Sequence, residues 1–440
     1  MSYEMIAAAM FGSMMLMLMT GQRVFAAIGA VAAAAALALW GTGGSDIPFS
    51  AAMKLMNWYP LLTLPMFIFM GYILSESKIA DDLYRMFHVW MGPIHGGLAI
   101  GTIGLMVLVS AMNGLSVAGM AIGATIALPE LLRRGYDKKM VTGVIQAGSS
   151  LGILVPPSVV LVLYAMIARQ PVGQLWLAGV IPGLIMATMF ILYIAIRCRL
   201  QPDLGPVLPK EERNVSTAEK LRLLRAGILP IVIFAVMMIP FINGWTSLVE
   251  SSAVGAMAAL LAAIIKRRMN REVFENSVRQ TLGITCMFMW IILAALGFGA
   301  VFDGLGAVQA IENLFTEQMG LSPWMILILM QLSFLVMGTF LDDTAMLVIV
   351  APLYVPLVQA LGFDLIWYGV LYTITTQIAY MTPPFGYNLF LMRAMAPPEI
   401  TLRDIYGSIL PFVCVMVLAL ALIMAFPQIA LWLPETVYGK

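Results

Sequence analysis

The chain has 440 residues, of which 61% are hydrophobic and 11% charged, with a formal net charge of +1. A soluble domain carries about 25% charge, so this composition and a mean hydropathy of +0.95 exclude a soluble globular fold, and the neutral balance leaves no basic stripe for nucleic acid. The three cysteines, Cys198, Cys286 and Cys414, lie far apart without CxxC spacing and suit neither a disulfide framework nor structural zinc.

Apolar runs of 15 to 23 residues recur from Met5 to Leu433, the length at which a helix crosses about 30 Å of hydrocarbon. Met1 to Met5 carry an acid and no base ahead of the first run, unlike a cleavable signal peptide, so that run is expected to be a permanent helix. In chain order the pattern predicts an all-α polytopic membrane protein. Residues 1–200 hold scaffold helices over 5–75 (5–20, 24–40 and 58–75) and an arm at 76–96. A hairpin at 97–132 follows, then a broken helix at 138–170 and a closing helix at 174–197. A polar linker runs over 201–224. Residues 225–440 hold scaffold helices over 226–301, an arm at 303–320, a hairpin at 322–361, a broken helix at 365–395 and a closing helix at 407–431.

Lys and Arg in short loops stay on the cytoplasmic side. Arg197 to Arg225 and the cluster Lys266, Arg267, Arg268 and Arg271 anchor that side, and the turn Asn243-Gly244-Trp245 between their helices is then external. Both ends of 97–132 adjoin basic loops, so this segment enters and leaves on one side, a re-entrant form tolerated only where protein or a water-filled cavity serves its backbone. The layout puts Lys54, Arg169 and Lys440 outside, with both termini, and 24 − 3 = 21 basic residues inside.

The two halves then share one order of elements with opposite orientation. A gapless shift of 227 residues superposes Pro129 on Pro356, Gly135 on Gly362, Asp137 on Asp364 and Pro156-Pro157 on Pro383-Pro384. Inverted repeats of this kind are a mark of secondary transporters, whose site lies where interrupted helices meet.

Each Pro-Pro pair removes two backbone donors. In a continuous helix those donors serve the carbonyls of Gly152 and Ile153, and of Ala379 and Tyr380, which are expected to stand free as ligands for a small hard cation. The half-helix beyond each break presents its positive end to the same place, where a carboxylate can rest. A simple kink is the alternative. The hairpin tips add oxygens of the kind that bind sodium, at Ser110, Asn113, Gly114 and Ser116 and at Thr339, Asp342, Asp343 and Thr344. For the hydroxyls, bonding back to their own helix is the alternative. A carboxylate at membrane depth usually faces a functional cavity, so Asp342 and Asp343 are candidates for coupling. Arg393 can attract an anion or snorkel to its helix end. His88 and His95 read as surface residues, too few for a metal site. The 36 methionines read as soft packing between moving helices, and Lys210 to Arg225 as a solvated connector.

Several motifs together resemble the large membrane subunit, DctM type, of tripartite ATP-independent periplasmic (TRAP) transporters. They are Asn113-Gly-Leu-Ser-Val-Ala118 with Pro129 and Arg134-Gly-Tyr-Asp137; Ile153-Leu-Val-Pro-Pro-Ser158; Phe340-Leu-Asp-Asp-Thr-Ala345; Met381-Thr-Pro-Pro-Phe-Gly-Tyr-Asn-Leu-Phe390, which brings in Thr382 and Asn388; and Gly244 with Glu250-Ser-Ser-Ala-Val-Gly255. Asn113 and Leu115 depart from that family's more serine-rich first tip. The resemblance implies an elevator fold in the bacterial inner membrane with periplasmic termini, and no enzymatic activity. It also implies sodium-coupled uptake of a small organic acid, with no other cofactor. A periplasmic binding protein would deliver the acid, and a small four-helix membrane subunit would hold the scaffold among membrane lipids.

A self-sufficient sodium- or proton-coupled anion symporter would share the repeat and need no partner. An intramembrane aspartyl protease would explain buried aspartates, but its chemistry needs two carboxylates from separate helices, and Asp342 and Asp343 are adjacent. A passive channel would explain polar breaks, without saturation or dependence on a binding protein.

Overall fold

The computed structural model describes residues 3–20, 22–114, 116–209, 216–306, 320–338, 343–383 and 386–439. Among them there is no strand, in keeping with a bilayer, where a helix satisfies its backbone groups within its own segment. In the first half the helices are α1 (Tyr3–Met19), α2 (Val24–Trp40), α3 (Asp46–Met56), α4 (Thr63–Glu76), α5 (Ile79–Met91), α6 (Gly97–Asn113), α7 (Ser116–Ile122), α8 (Leu128–Arg133), α9 (Lys138–Ser150), α10 (Val159–Ala168) and α11 (Val172–Leu200). The second half has α12 (Thr217–Ile242), α13 (Leu248–Ile265), α14 (Arg271–Gly304), α15 (Pro323–Met337), α16 (Asp343–Ala360), α17 (Leu365–Tyr380), α18 (Tyr387–Met395), α19 (Leu402–Ala425) and α20 (Gln428–Tyr438). Seven stretches among the described residues are long and apolar enough to cross a membrane, by length and composition.

The 34-residue α14 is the central post, packing on α2, α3 and α4 and also on α16. Helix α4 lies along α13, where Gly255 brings the backbones close: a Cβ there would sit 2.9 Å from the Met70 sulfur. Such small-residue contacts replace the hydrophobic drive that lipid does not supply. Helices α9 and α10 are wrapped by α6, α11, α16, α17 and α19, and every residue from Leu151 to Ala165 is buried.

The loops that open α9 and α17 share a conformation. Gly135 has φ +78° and Gly362 φ +79°, a left-handed turn that glycine adopts without penalty. Two residues later Asp137 accepts from the Met140 amide at 2.9 Å, and Asp364 accepts from the Ile366 and Trp367 amides at 2.8 Å. Each is an N-cap that satisfies otherwise orphaned donors.

Basic loops gather at one end of the bundle. Asp82 on α5 binds Lys266 at 2.7 Å and Arg268 at 2.9 Å, and Arg268 also donates to the Lys78 carbonyl at 2.6 Å. Burial pushes the Asp82 carboxyl up, but hydrogen bonds from Arg268 and Lys266 outweigh it and hold the group below the usual carboxylate range. Nearby, the Asp137 amide donates to the Leu204 carbonyl at 3.2 Å, and Lys138 donates to the Glu399 carbonyl at 3.0 Å.

Four boundaries differ from the sequence expectation. Helix α3 fills the gap left between 40 and 58: the glycines of Gly41–Ser45 turn the chain, then Asp46 in the first turn and Lys54 in the last complement a new helix dipole. Helix α12 begins inside the expected linker 201–224, because Ser216 caps it by accepting from the Glu219 amide at 3.2 Å. The last scaffold helix of 226–301, expected from its apolar run over about 280–301, is α14 and starts at Arg271, capped by Asn270, whose Oδ1 accepts from the Val273 amide at 2.7 Å. The closing helix expected at 407–431 is two helices, because Phe426 is held extended (φ −127°, ψ 78°) by the steric demand of Pro427, and α20 starts afresh against α11. Of the arm expected at 303–320, residues 307–319 lie outside those described.

Candidate functional site

At the first break, α9 ends in a tight turn at Leu151–Ile153 and Pro156-Pro157 follows, joined by a cis peptide bond. The Ile153 carbonyl is not free, contrary to expectation: the Ser158 hydroxyl donates to it. The same hydroxyl oxygen accepts from the Leu161 amide at 3.2 Å and so caps α10. The first hairpin tip closes over this end. Gly114, at φ +64°, offers its carbonyl to the Val159 amide at 3.3 Å, and a Cβ there would fall 2.2 Å from the Pro157 oxygen. Only glycine permits that approach. The positive end of α10 is therefore met by the tip's own carbonyl.

At the second break the Ala379 carbonyl is also taken, by the Thr382 amide at 3.1 Å, since the chain turns immediately after α17. The Thr382 hydroxyl bonds back to the Ile378 carbonyl at 2.6 Å. Gly386, at φ +24°, folds over the turn: a Cβ on it would lie 2.8 Å from the Tyr380 oxygen and 3.0 Å from the Thr382 oxygen. Two backbone oxygens thus lie within about 3 Å of one point just before α18. Asn388, fully buried on α18, links the second break to the first tip: its Oδ1 accepts from the Ser116 hydroxyl at 3.2 Å. The Asn388 Nδ2 is buried with no hydrogen-bond partner among the described residues.

Other expected residues fall differently. The backbones of Ser110 and Asn113 belong to α6 and those of Asp343 and Thr344 to α16, but their side chains are not described. Thr339, Asp342 and Pro384 lie outside the described residues. Arg393 is exposed and donates to the Ile400 carbonyl at 2.9 Å, so it serves the loop after its own helix. Gly152, Pro156 and Pro157 are buried at the first break, and Pro383 lies in the turn of the second.

Sequence reasoning from breaks and tips missed the buried polar contacts that α9 and α17 make with each other and with α19 and α15. Gln377 donates from Nε2 to the Ser150 carbonyl at 2.7 Å. Gln146 donates to the Thr142 carbonyl at 3.2 Å and to the Ser408 hydroxyl at 3.4 Å. Thr375 donates to Gln331 Oε1. Gln146 Oε1, Gln377 Oε1 and Gln331 Nε2 are buried without partners among the described residues, a costly state that calls for a ligand or ordered water. The signal was legible: Thr142, Gln146, Ser149 and Ser150 recur at i, i+4, i+7 and i+8, and Thr373, Thr376, Gln377 and Tyr380 recur at i, i+3, i+4 and i+7. Each set lies on one helical face.

Comparison with known proteins gives a consistent result. Residues 11–429 match the family described as "Tripartite ATP-independent periplasmic transporter, DctM component". The C4-dicarboxylate TRAP transporter large permease protein DctM of Pseudomonas aeruginosa is 31% identical over 392 residues, covering 88% of this chain and 89% of that protein. The ectoine TRAP transporter large permease protein TeaC of Halomonas elongata is 27% identical over 381 residues, covering 86% of this chain and 87% of that one. In fold, the chain is similar to the YdaH transporter of Alcanivorax borkumensis, with a TM-score of 0.65, 15% identity and coverage of 88% and 90%.

Proposed function

The chain belongs to the DctM family of TRAP transporter large permease subunits, and from that premise we propose that it carries a small organic acid inward across the bacterial inner membrane together with sodium. The observation that carries this reading is the meeting of Ser116 and Asn388, which joins the first hairpin tip to the second half-helix beside two converging backbone oxygens. Neutral oxygens from carbonyls, hydroxyls and amides favour a hard cation, and a cation bound there would supply the charge that holds a carboxylate.

The transport cycle proposed is of the elevator type: α6–α10 and α15–α18 move as one body against a scaffold of α2–α4, α13 and α14. A periplasmic binding protein delivers the acid, and a small membrane subunit holds the scaffold. The basic end of the bundle then faces the cytoplasm, and the termini the periplasm. Substrates named for relatives include C4-dicarboxylates and ectoine, which supports a small carboxylate as the proposed class rather than one compound. Uptake into proteoliposomes across a panel of such acids, with and without binding protein and small subunit, tests this. Accumulation that needs both partners supports it; full accumulation by the chain alone makes it a self-sufficient symporter.

A further inference from the structure

A cavity of about 1150 Å³ lies at the end of α10 opposite the tip contact of Val159, between α3, α10, and the packed faces of α14 and α16. Asp46, Ser50, Lys54, Trp58, Arg169 and Gln170 are among its walls. Lys54 and Arg169 are exposed, and among the described residues neither forms an ion pair or a side-chain hydrogen bond. Their charges outnumber the single Asp46.

Three features argue that these cations are there for a ligand. They are two of the three basic residues on the external face in the charge-based layout, against a bias that places the other 21 inside. Arg169 closes α10 in the left-handed region (φ 53°, ψ 40°), where a side chain costs roughly 1 kcal/mol that glycine avoids. Its guanidinium does not repay that cost by bonding the last carbonyls of α10. The walls also come from both bodies of the proposed elevator, Lys54 from the scaffold side and Arg169 from the moving side, so the cavity lies on the line where substrate must pass.

We infer that this cavity is an external vestibule that captures the carboxylate of a small organic anion between Lys54 and Arg169 before it reaches the hairpin tips. A cleft whose charges are mostly of one sign focuses its field and raises local counter-ion concentration roughly tenfold or more. Ser50 and Gln170 supply hydrogen bonds for hydroxyls, and Trp58 an apolar wall. The inference rests on the organic-acid reading above.

The test measures the cavity's potential rather than transport. In the permease held with its small subunit in nanodiscs, Cys198, Cys286 and Cys414 are replaced and a single cysteine is placed at Ser50, or at Asn57, which also lines the cavity, if the first variant does not fold. Its labelling rate is measured with anionic sulfonatoethyl and cationic trimethylammonioethyl methanethiosulfonate. The anionic reagent should react faster, relative to a cysteine at Asn243, and K54Q with R169Q should lower the ratio about tenfold. Succinate should slow labelling in the parent and not in the double variant. A ratio unmoved by neutralisation overturns the vestibule, as does protection by phosphatidylglycerol in the nanodisc with none by succinate, which would assign the cations to a lipid headgroup. Anion selectivity here without organic-acid uptake in proteoliposomes would sink the functional reading and leave the vestibule standing.

Discussion

Gln377 and Ser150 stand 227 residues apart and are joined by a hydrogen bond, the Gln377 side chain donating from Nε2 to the Ser150 carbonyl at 2.7 Å. The same interval superposes Pro156-Pro157 on Pro383-Pro384, so the bond joins two positions that the proposed repeat makes equivalent. Under a two-fold relation, equivalent positions touch only at the axis. Both residues are fully buried, and Gln377→Leu would remove the side-chain donor that the Ser150 carbonyl holds beyond its own tight turn. The expected loss is about 1–2 kcal/mol, read as a lowered melting temperature of the purified complex together with impaired uptake. An unchanged melting temperature would show that the bond does not hold the two halves.

Gly114 should tolerate no side chain. Alanine there must adopt φ +64° and place a Cβ 2.2 Å from the Pro157 oxygen. The conformation alone costs roughly 1–2 kcal/mol, and the clash lies with backbone rather than a flexible side chain. Gly114→Ala should therefore abolish uptake while leaving the scaffold folded, with protease cleavage newly admitted near the first tip. Gly135→Ala shares the positive φ but has open space around its Cβ, so it should cost stability and spare uptake.

Asn388 separates a binding role from a packing role. Asn388→Ala removes the Ser116 contact and a buried amide group, so the half-saturating sodium concentration for uptake should rise about tenfold, the effect of about 1.4 kcal/mol. Ser116→Ala removes only the donor and should change it less. Equal and small effects of both on sodium dependence, with lowered stability, would make Asn388 a packing residue.

The Asp82 clamp fixes the sign of a pH effect. Its carboxyl is held below the usual range in the folded chain, so it stabilises fully above the unfolded value of about 3.9 and is lost as pH falls through the lowered folded value. Stability between pH 5 and 8 should owe nothing to its titration. Asp82→Asn should lose about 1 kcal/mol across that range, since Lys266 and Arg268 are partly solvated. A midpoint of stability loss near pH 6 removed by this substitution would contradict the assignment.

Much of the architecture was legible because bilayer physics writes it in long apolar runs and clustered basic residues. Gly135 with Asp137, and Gly362 with Asp364, could be paired from sequence because a left-handed turn and an N-cap each need particular residue types. The free carbonyls were overestimated for a physical reason. Removing a donor at Pro156 and Pro157 orphans a carbonyl only if no neighbour replaces it, and Ser158, next in sequence, turns its hydroxyl back to Ile153. The partners of the buried amides Gln146 and Gln377 were not legible because they lie 262 and 227 residues away in the chain, beyond any local spacing. The break at Phe426-Pro427 was carried by the proline itself and was hidden by the continuous hydropathy around it.

The most direct test of the central claim, that converging neutral oxygens bind sodium along with the acid, is the driving force for uptake. The chain, its small subunit and its binding protein are reconstituted in proteoliposomes, and accumulation of the transported acid is measured with an inward sodium gradient, with choline in its place, and with a proton gradient alone. Accumulation above equilibrium should occur with sodium and collapse with choline. Full accumulation on the proton gradient in the absence of sodium would contradict it.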